Sequence, residues 1–163
     1  MAQRHPERAP LEQFVSLSAT LTGFDASELW ATGMVETYRA LLPTIVGDRI
    51  FGRFMTQWYN TWLRGEGDER LLHELVKEQI FDDAEYGPLA VNLAALWYTG
   101  QWNQLPADWC DAHGASAADQ TRIISSASYT EGLVWKAMHT HPPAAKQPGF
   151  GSWALKPERG AAR

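Results

Sequence analysis

Hydrophobic residues recur at helical intervals through the first hundred positions, and that rhythm predicts a succession of amphipathic helices. Leu11, Phe14, Val15, Leu17 and Leu21 share one face, and Thr22 with Gly23 supplies a stop. Asp25 followed by Glu28 has capping-box spacing, which starts a helix whose apolar face runs Leu29, Trp30, Met34, Val35, Tyr38, Leu41 and Leu42. Pro43 either ends that helix or opens the next. The strongest stripe follows: Ile50, Phe51, Phe54, Met55, Trp58, Tyr59, Trp62 and Leu63 pair up every four residues. Gly65 to Asp68 closes it, and Asp68 caps a helix carrying Leu71, Leu72, Leu75, Val76 and Ile80. Asp82, Asp83 and Gly87 mark a turn, and Pro88 suits a first helical position. Residues 89–98 are apolar almost all round, as a central buried helix should be, with Gly100 as its C-cap.

Beyond Gly100 the rhythm breaks. Residues 101–114 read as a turn-rich loop containing Trp102, Pro106 and Trp109. Ser116 is a candidate cap for a helix reaching Arg122, and Ser128 for one running from Tyr129 to Met138; Ile123 and Ile124 fit helix or strand equally. After His139, prolines 142, 143, 148 and 157 and glycines 149, 151 and 160 exclude regular structure. The expected architecture is all-α: a compact bundle of about five to six helices over residues 11–139, preceded by a polar arm (1–10) and followed by an extended Pro/Gly-rich tail (140–163).

Composition narrows the function classes. With 45% hydrophobic and 20% charged residues, the 163-residue chain belongs with folded proteins. A net charge of −5 and the lack of any long basic run argue against nucleic acid as a partner. Cys110 is the single cysteine, so neither an internal disulfide nor a CxxC site can form. No stretch is long and apolar enough to span a bilayer, which leaves any membrane association indirect. The first ten residues show neither an apolar signal core nor a twin arginine, so no leader is expected in them.

The sequence has no GxGxxG or GxxxxGK[ST] to cradle phosphates, no GxSxG elbow and no HExxH zinc helix. His139 and His141, with His113 before them, would suit a metal if the segment were extended; a polar linker leaving a helix is the simpler reading. Cys110 and His113 have helical spacing, but Asp108 and Asp111 would raise the thiol pKa and keep it inert. Asp82, Asp83 and Glu85 read as a solvated turn rather than an acid or cation site. The aromatic stripe between Phe51 and Trp62 is core in the first instance and a pocket wall in the second. Yet eight tryptophans exceed what a small helical core requires, and rings with one apolar and one wet edge suit interfaces.

The tail is the most distinctive segment. Pro148, Gly149, Phe150, Trp153 and Leu155 place large anchors on a backbone that cannot fold alone, whereas free tails are depleted of aromatics. These five residues, with Trp102 and Trp109 from the loop, are the expected partner-binding set. No catalytic, cofactor-binding or metal-binding residue is expected in this chain.

Four segments carry a family resemblance: residues 14–23 (FVSLSATLTG), 96–102 (LWYTGQW), 129–135 (YTEGLVW) and 146–153 (KQPGFGSW). Together they resemble the small subunit of membrane-bound FAD-containing sorbitol dehydrogenases, to which the small subunits of fructose and glucose dehydrogenase complexes are related. The resemblance implies a periplasmic three-part complex. A large FAD-bearing subunit of the glucose-methanol-choline class oxidises a sugar or polyol, and a multihaem cytochrome c passes the electrons on. The small subunit holds no cofactor and supports assembly, stability or export of its flavin partner; in many members its own twin-arginine leader exports the pair. Lacking that leader, this chain would stay cytoplasmic unless co-exported. Two other readings remain open on the residues alone: a stand-alone helical small-molecule binder using the aromatic stripe, and a metal enzyme using His139 and His141.

Overall fold

A computed structural model describes residues 8–142, and its architecture is all-α. Helix α1 (Arg8–Thr22) begins within the expected arm. It stops where Gly23 turns left-handed at φ 74° while its N–H still bonds Ala19 O at 2.8 Å. Helix α2 (Ala26–Ala31) starts as its sequence directs, Glu28 Oε2 accepting from the Asp25 N–H at 3.0 Å. The long helix expected from Asp25 to Leu42 is instead two. The Thr32 hydroxyl donates to Leu29 O at 2.7 Å and accepts from the Met34 N–H at 3.1 Å, and Gly33 takes φ 69°, so the chain turns before α3 (Val35–Val46). Pro43 lies inside α3 without ending it.

Helix α4 (Asp48–Gly65) carries the aromatic stripe, and α5 (Glu69–Val76) folds back on it from a cap in which Asp68 Oδ1 accepts from Leu71 N–H at 3.0 Å. One π turn (Lys77–Phe81) and a short bend lead to α6 (Tyr86–Thr99), which puts Pro88 in its first turn. Helix α6 is central. Its Leu89, Ala90, Leu93, Leu96 and Trp97 are buried, and it packs against α1, the π turn, the first strand after Gly100 and the last two helices of the described chain.

The region after Gly100 departs most from expectation. Strands β1 (Gln101–Trp102) and β2 (Arg122–Ile123) pair antiparallel, Trp102 opposite Arg122, so Ile123 is extended. The expected loop at 101–114 contains helix α7 (Ala107–His113). No helix follows Ser116. Its hydroxyl donates to Thr44 O at 2.7 Å and accepts from the Ala118 N–H at 3.1 Å, a local bond that competes with helix formation. Ser125, not Ser128, caps α8 (Ser126–Thr130), and a break at Glu131 and Gly132 separates it from α9 (Leu133–Ala137).

Candidate partner-binding surface

Helix α4 divides its aromatic stripe between interior and surface. Phe51, Phe54 and Trp58 enter the core, where Phe54 stacks on Tyr86 with ring centres 5.7 Å apart. Tyr59 and Leu63 remain 41% and 45% exposed, and Trp62 is half-buried. Sequence neighbours on a helix point about 100° apart. Trp58, Trp62, Tyr59 and Leu63 therefore fan over about 140° of the helix surface, wider than a core-facing stripe of about 100°. That offset was the available signal that part of the stripe faces outward.

The outward part forms one wall of an open groove of about 320 Å³ between α4 and α1. Trp58 is its floor; Tyr59 and Trp62, stacked at 6.4 Å and 25°, form its aromatic side. Glu12, Gln13 and Ser16 of α1 supply a polar opposite wall. Nothing in the pattern of α1 pointed to these three residues, because they lie on its polar face.

A second groove, of about 360 Å³, lies between α2 and the α8–α9 pair where the described chain ends at Pro142. Glu28 and Lys136 bridge α2 and α9 across it as an ion pair, which holds the Glu28 carboxyl below its usual range. Trp135 stands edge-on to Tyr129 at 5.3 Å, its indole N–H donating to Tyr129 O at 2.7 Å.

Trp102 and Trp109, expected at a partner interface, are placed otherwise. Trp102 is fully buried and donates from Nε1 to Asp119 Oδ1 at 2.8 Å; Trp109 is 3% exposed and donates from Nε1 to Glu85 O at 2.9 Å. Each ring has found both an apolar bed and an acceptor inside its own chain, so neither presents a face to a second protein. Pro148, Gly149, Phe150, Trp153 and Leu155 lie outside the described residues.

Asp119 was missed in the sequence and organises this joint. It is a buried carboxylate that also accepts from the Leu105 N–H at 3.1 Å, with Cys110 Sγ 3.6 Å away. Burial first, then the bond to Asp119, then the charges of Asp119, Asp111 and Asp108 push the Cys110 thiol upward. The flanking aspartates act in the expected direction, but α7 and Asp119 rather than a loop set the environment.

In the acidic turn, Asp83 Oδ1 accepts from the N–H groups of Glu85 and Tyr86, each at 2.8 Å, while Asp82 pairs with Lys77 at 2.8 Å. Glu85 pairs with Arg53 and lies 3.8 Å from His113 Nδ1. His139 takes a left-handed φ of 52° just after α9, and His141 Nδ1 lies 3.5 Å from Pro142 O. Among the described residues, no three metal-ligating side chains converge.

No family model, curated protein or solved structure matches this chain. Two features stand out in the geometry of the described residues: a tightly bonded joint around Trp102, and an open aromatic groove between α1 and α4.

Proposed function

We propose that this chain is a non-catalytic small subunit of a periplasmic FAD-dependent sugar or polyol dehydrogenase complex, supporting its flavin-bearing subunit beside a multihaem cytochrome c. The FAD and haem c belong to those partners. One observation carries the reading. Three of the four segments behind the resemblance, far apart in sequence, meet at a single joint. Tyr98 OH donates to Thr22 O at 2.8 Å and Gly132 packs against Tyr98 O, while Ser128, just before the third segment, donates from Oγ to Gly100 O at 3.0 Å.

Gly100 explains why the LWYTGQW run needs its glycine. Its φ is 71°, and a Cβ there would stand 2.3 Å from Ser128 O. The shared segments thus support a shared body, and the fourth, residues 146–153, follows four positions after Pro142. Phe150 and Trp153 in so Pro/Gly-rich a sequence suit docking to a larger subunit, because large rings fill pockets and prolines limit the conformational entropy lost on binding.

The test is co-purification with an FAD-bearing dehydrogenase subunit of the glucose-methanol-choline class, co-expressed with this chain. Replacing Phe150 and Trp153 together with alanine in the full-length chain is expected to abolish recovery of the flavin subunit while leaving the helical circular-dichroism signal intact. Undiminished recovery and dehydrogenase activity would reject the reading.

A further inference from the structure

Charge is divided unevenly along this chain. Residues 8–142 hold nine basic and seventeen acidic side chains, a net of −8. Residues 143–163 hold Lys146, Lys156, Arg159 and Arg163 against Glu158, a net of +3. An acidic body and a basic terminal segment of one molecule attract each other, at a range set by the Debye length.

The groove between α1 and α4 matches that segment in chemistry, and the one charged residue among the described residues lining it is the acidic Glu12. Aromatic-lined grooves with polar rims accept proline-bearing extended chains, whose rings and stiff backbone fit flat faces at low entropic cost. Tyr59 and Trp62 provide such faces, and Glu12 and Gln13 the polar rim. The segment beyond Pro142 brings Pro143, Pro148 and Pro157, with Phe150 and Trp153 between them.

The tail sets out from the side of the body where α1 ends. It leaves from the α8–α9 side, where Gly132 packs on Tyr98 and Tyr98 bonds Thr22 at the end of α1. From Thr22 back to Ser16 and Glu12, the groove lies about 9–15 Å along α1 at the helical rise. The eight residues from Pro142 to Phe150 span up to about 26 Å when extended.

We propose that the α1–α4 groove is the seat of this chain's own residues 146–155, with Phe150 lodged beside Tyr59 and Trp62. Seated there, the anchors of the isolated subunit are withdrawn from water, and a partner offering deeper pockets competes for them. The seat does not depend on the dehydrogenase reading, because it concerns the chain alone.

The experiment places the photo-crosslinker p-benzoylphenylalanine at position 150 of the full-length chain, irradiated without any partner and at low protein concentration. The expected product is a crosslinked monomer whose joined peptide maps to α1 or to the outer half of α4. Tyr59→Ser on one wall and Gln13→Arg on the other are each expected to abolish that product, and high salt to weaken it. Both positions are exposed, so circular dichroism should report an unchanged fold. Crosslinks to another part of the body, crosslinks only between two copies, or no crosslink at all would each overturn the proposal. So would undiminished crosslinking in both variants.

Discussion

Trp102 is wholly buried and its indole N–H donates to a buried carboxylate, whereas Tyr59 keeps 41% of its surface in water beside a stacked Trp62. Both belong to aromatic runs, and composition alone treats them alike. The difference lies in what surrounds each ring. Around Trp102, Asp119 gathers the Trp102 Nε1–H and the Leu105 N–H, so a charge that would be costly to bury is held by fixed donors. Around Tyr59, the neighbouring α1 offers polar side chains across an open groove. The first arrangement consumes its aromatic surface in folding. The second leaves aromatic surface available for binding.

The contrast is broken most severely at Trp102. Trp102→Ala removes a fully buried indole and strips Asp119 of a donor, so a loss of about 3–5 kcal/mol is expected in urea unfolding. An unchanged midpoint would mean that the ring is not part of the core. Asp119→Ala comes next. It leaves two buried N–H groups without acceptors, at about 1–3 kcal/mol each, and Asp119→Asn, which keeps one acceptor, should cost less.

The same carboxylate sharpens the comparison through Cys110. Burial and the bond to Asp119 raise the thiol above its ordinary range, so thiolate forms only at higher pH. Alkylation of the folded chain at about pH 8 should be markedly slower than that of the urea-unfolded chain, with its rise displaced to more alkaline pH. Asp119→Asn removes a negative neighbour and should restore part of the rate. Equal rates folded and unfolded would contradict the joint as described.

Local signals were legible where chemistry is local. The all-α class, the pairing of Asp25 with Glu28, the Asp68 cap, the central α6 and the Gly100 C-cap all follow from spacing and residue type. The failures share a cause. Ser116 has the form of an N-cap, yet its hydroxyl is used by Thr44 O across the fold, 72 positions away. The loop expected around Trp109 is a helix whose Trp109 N–H is held by the Glu85 carbonyl, 24 positions away. An excess of tryptophan points Trp102 and Trp109 to an interface only until each N–H is seen to have an acceptor inside its own chain. Of the expected partner-binding set, the described residues contain only these two. The α1 side of the groove was invisible for the opposite reason, since Glu12, Gln13 and Ser16 look like any solvated face until α4 is set beside them.

The smallest effect on stability is the most informative. Tyr59→Ser exchanges residues of similar helix propensity at an exposed site, so unfolding should shift by no more than about 0.5 kcal/mol. Its contact with Trp62 is a surface stack that water can replace. If the substitution instead costs as much as Trp102→Ala, the outer half of α4 is core and the distinction between the two aromatic regions collapses. If stability holds while the crosslink from position 150 is lost, folding and binding use different rings of the same stripe. A helix whose neighbouring aromatics diverge by about 100° then serves both ends: one set fastens α4 to the body, and the next receives an extended chain.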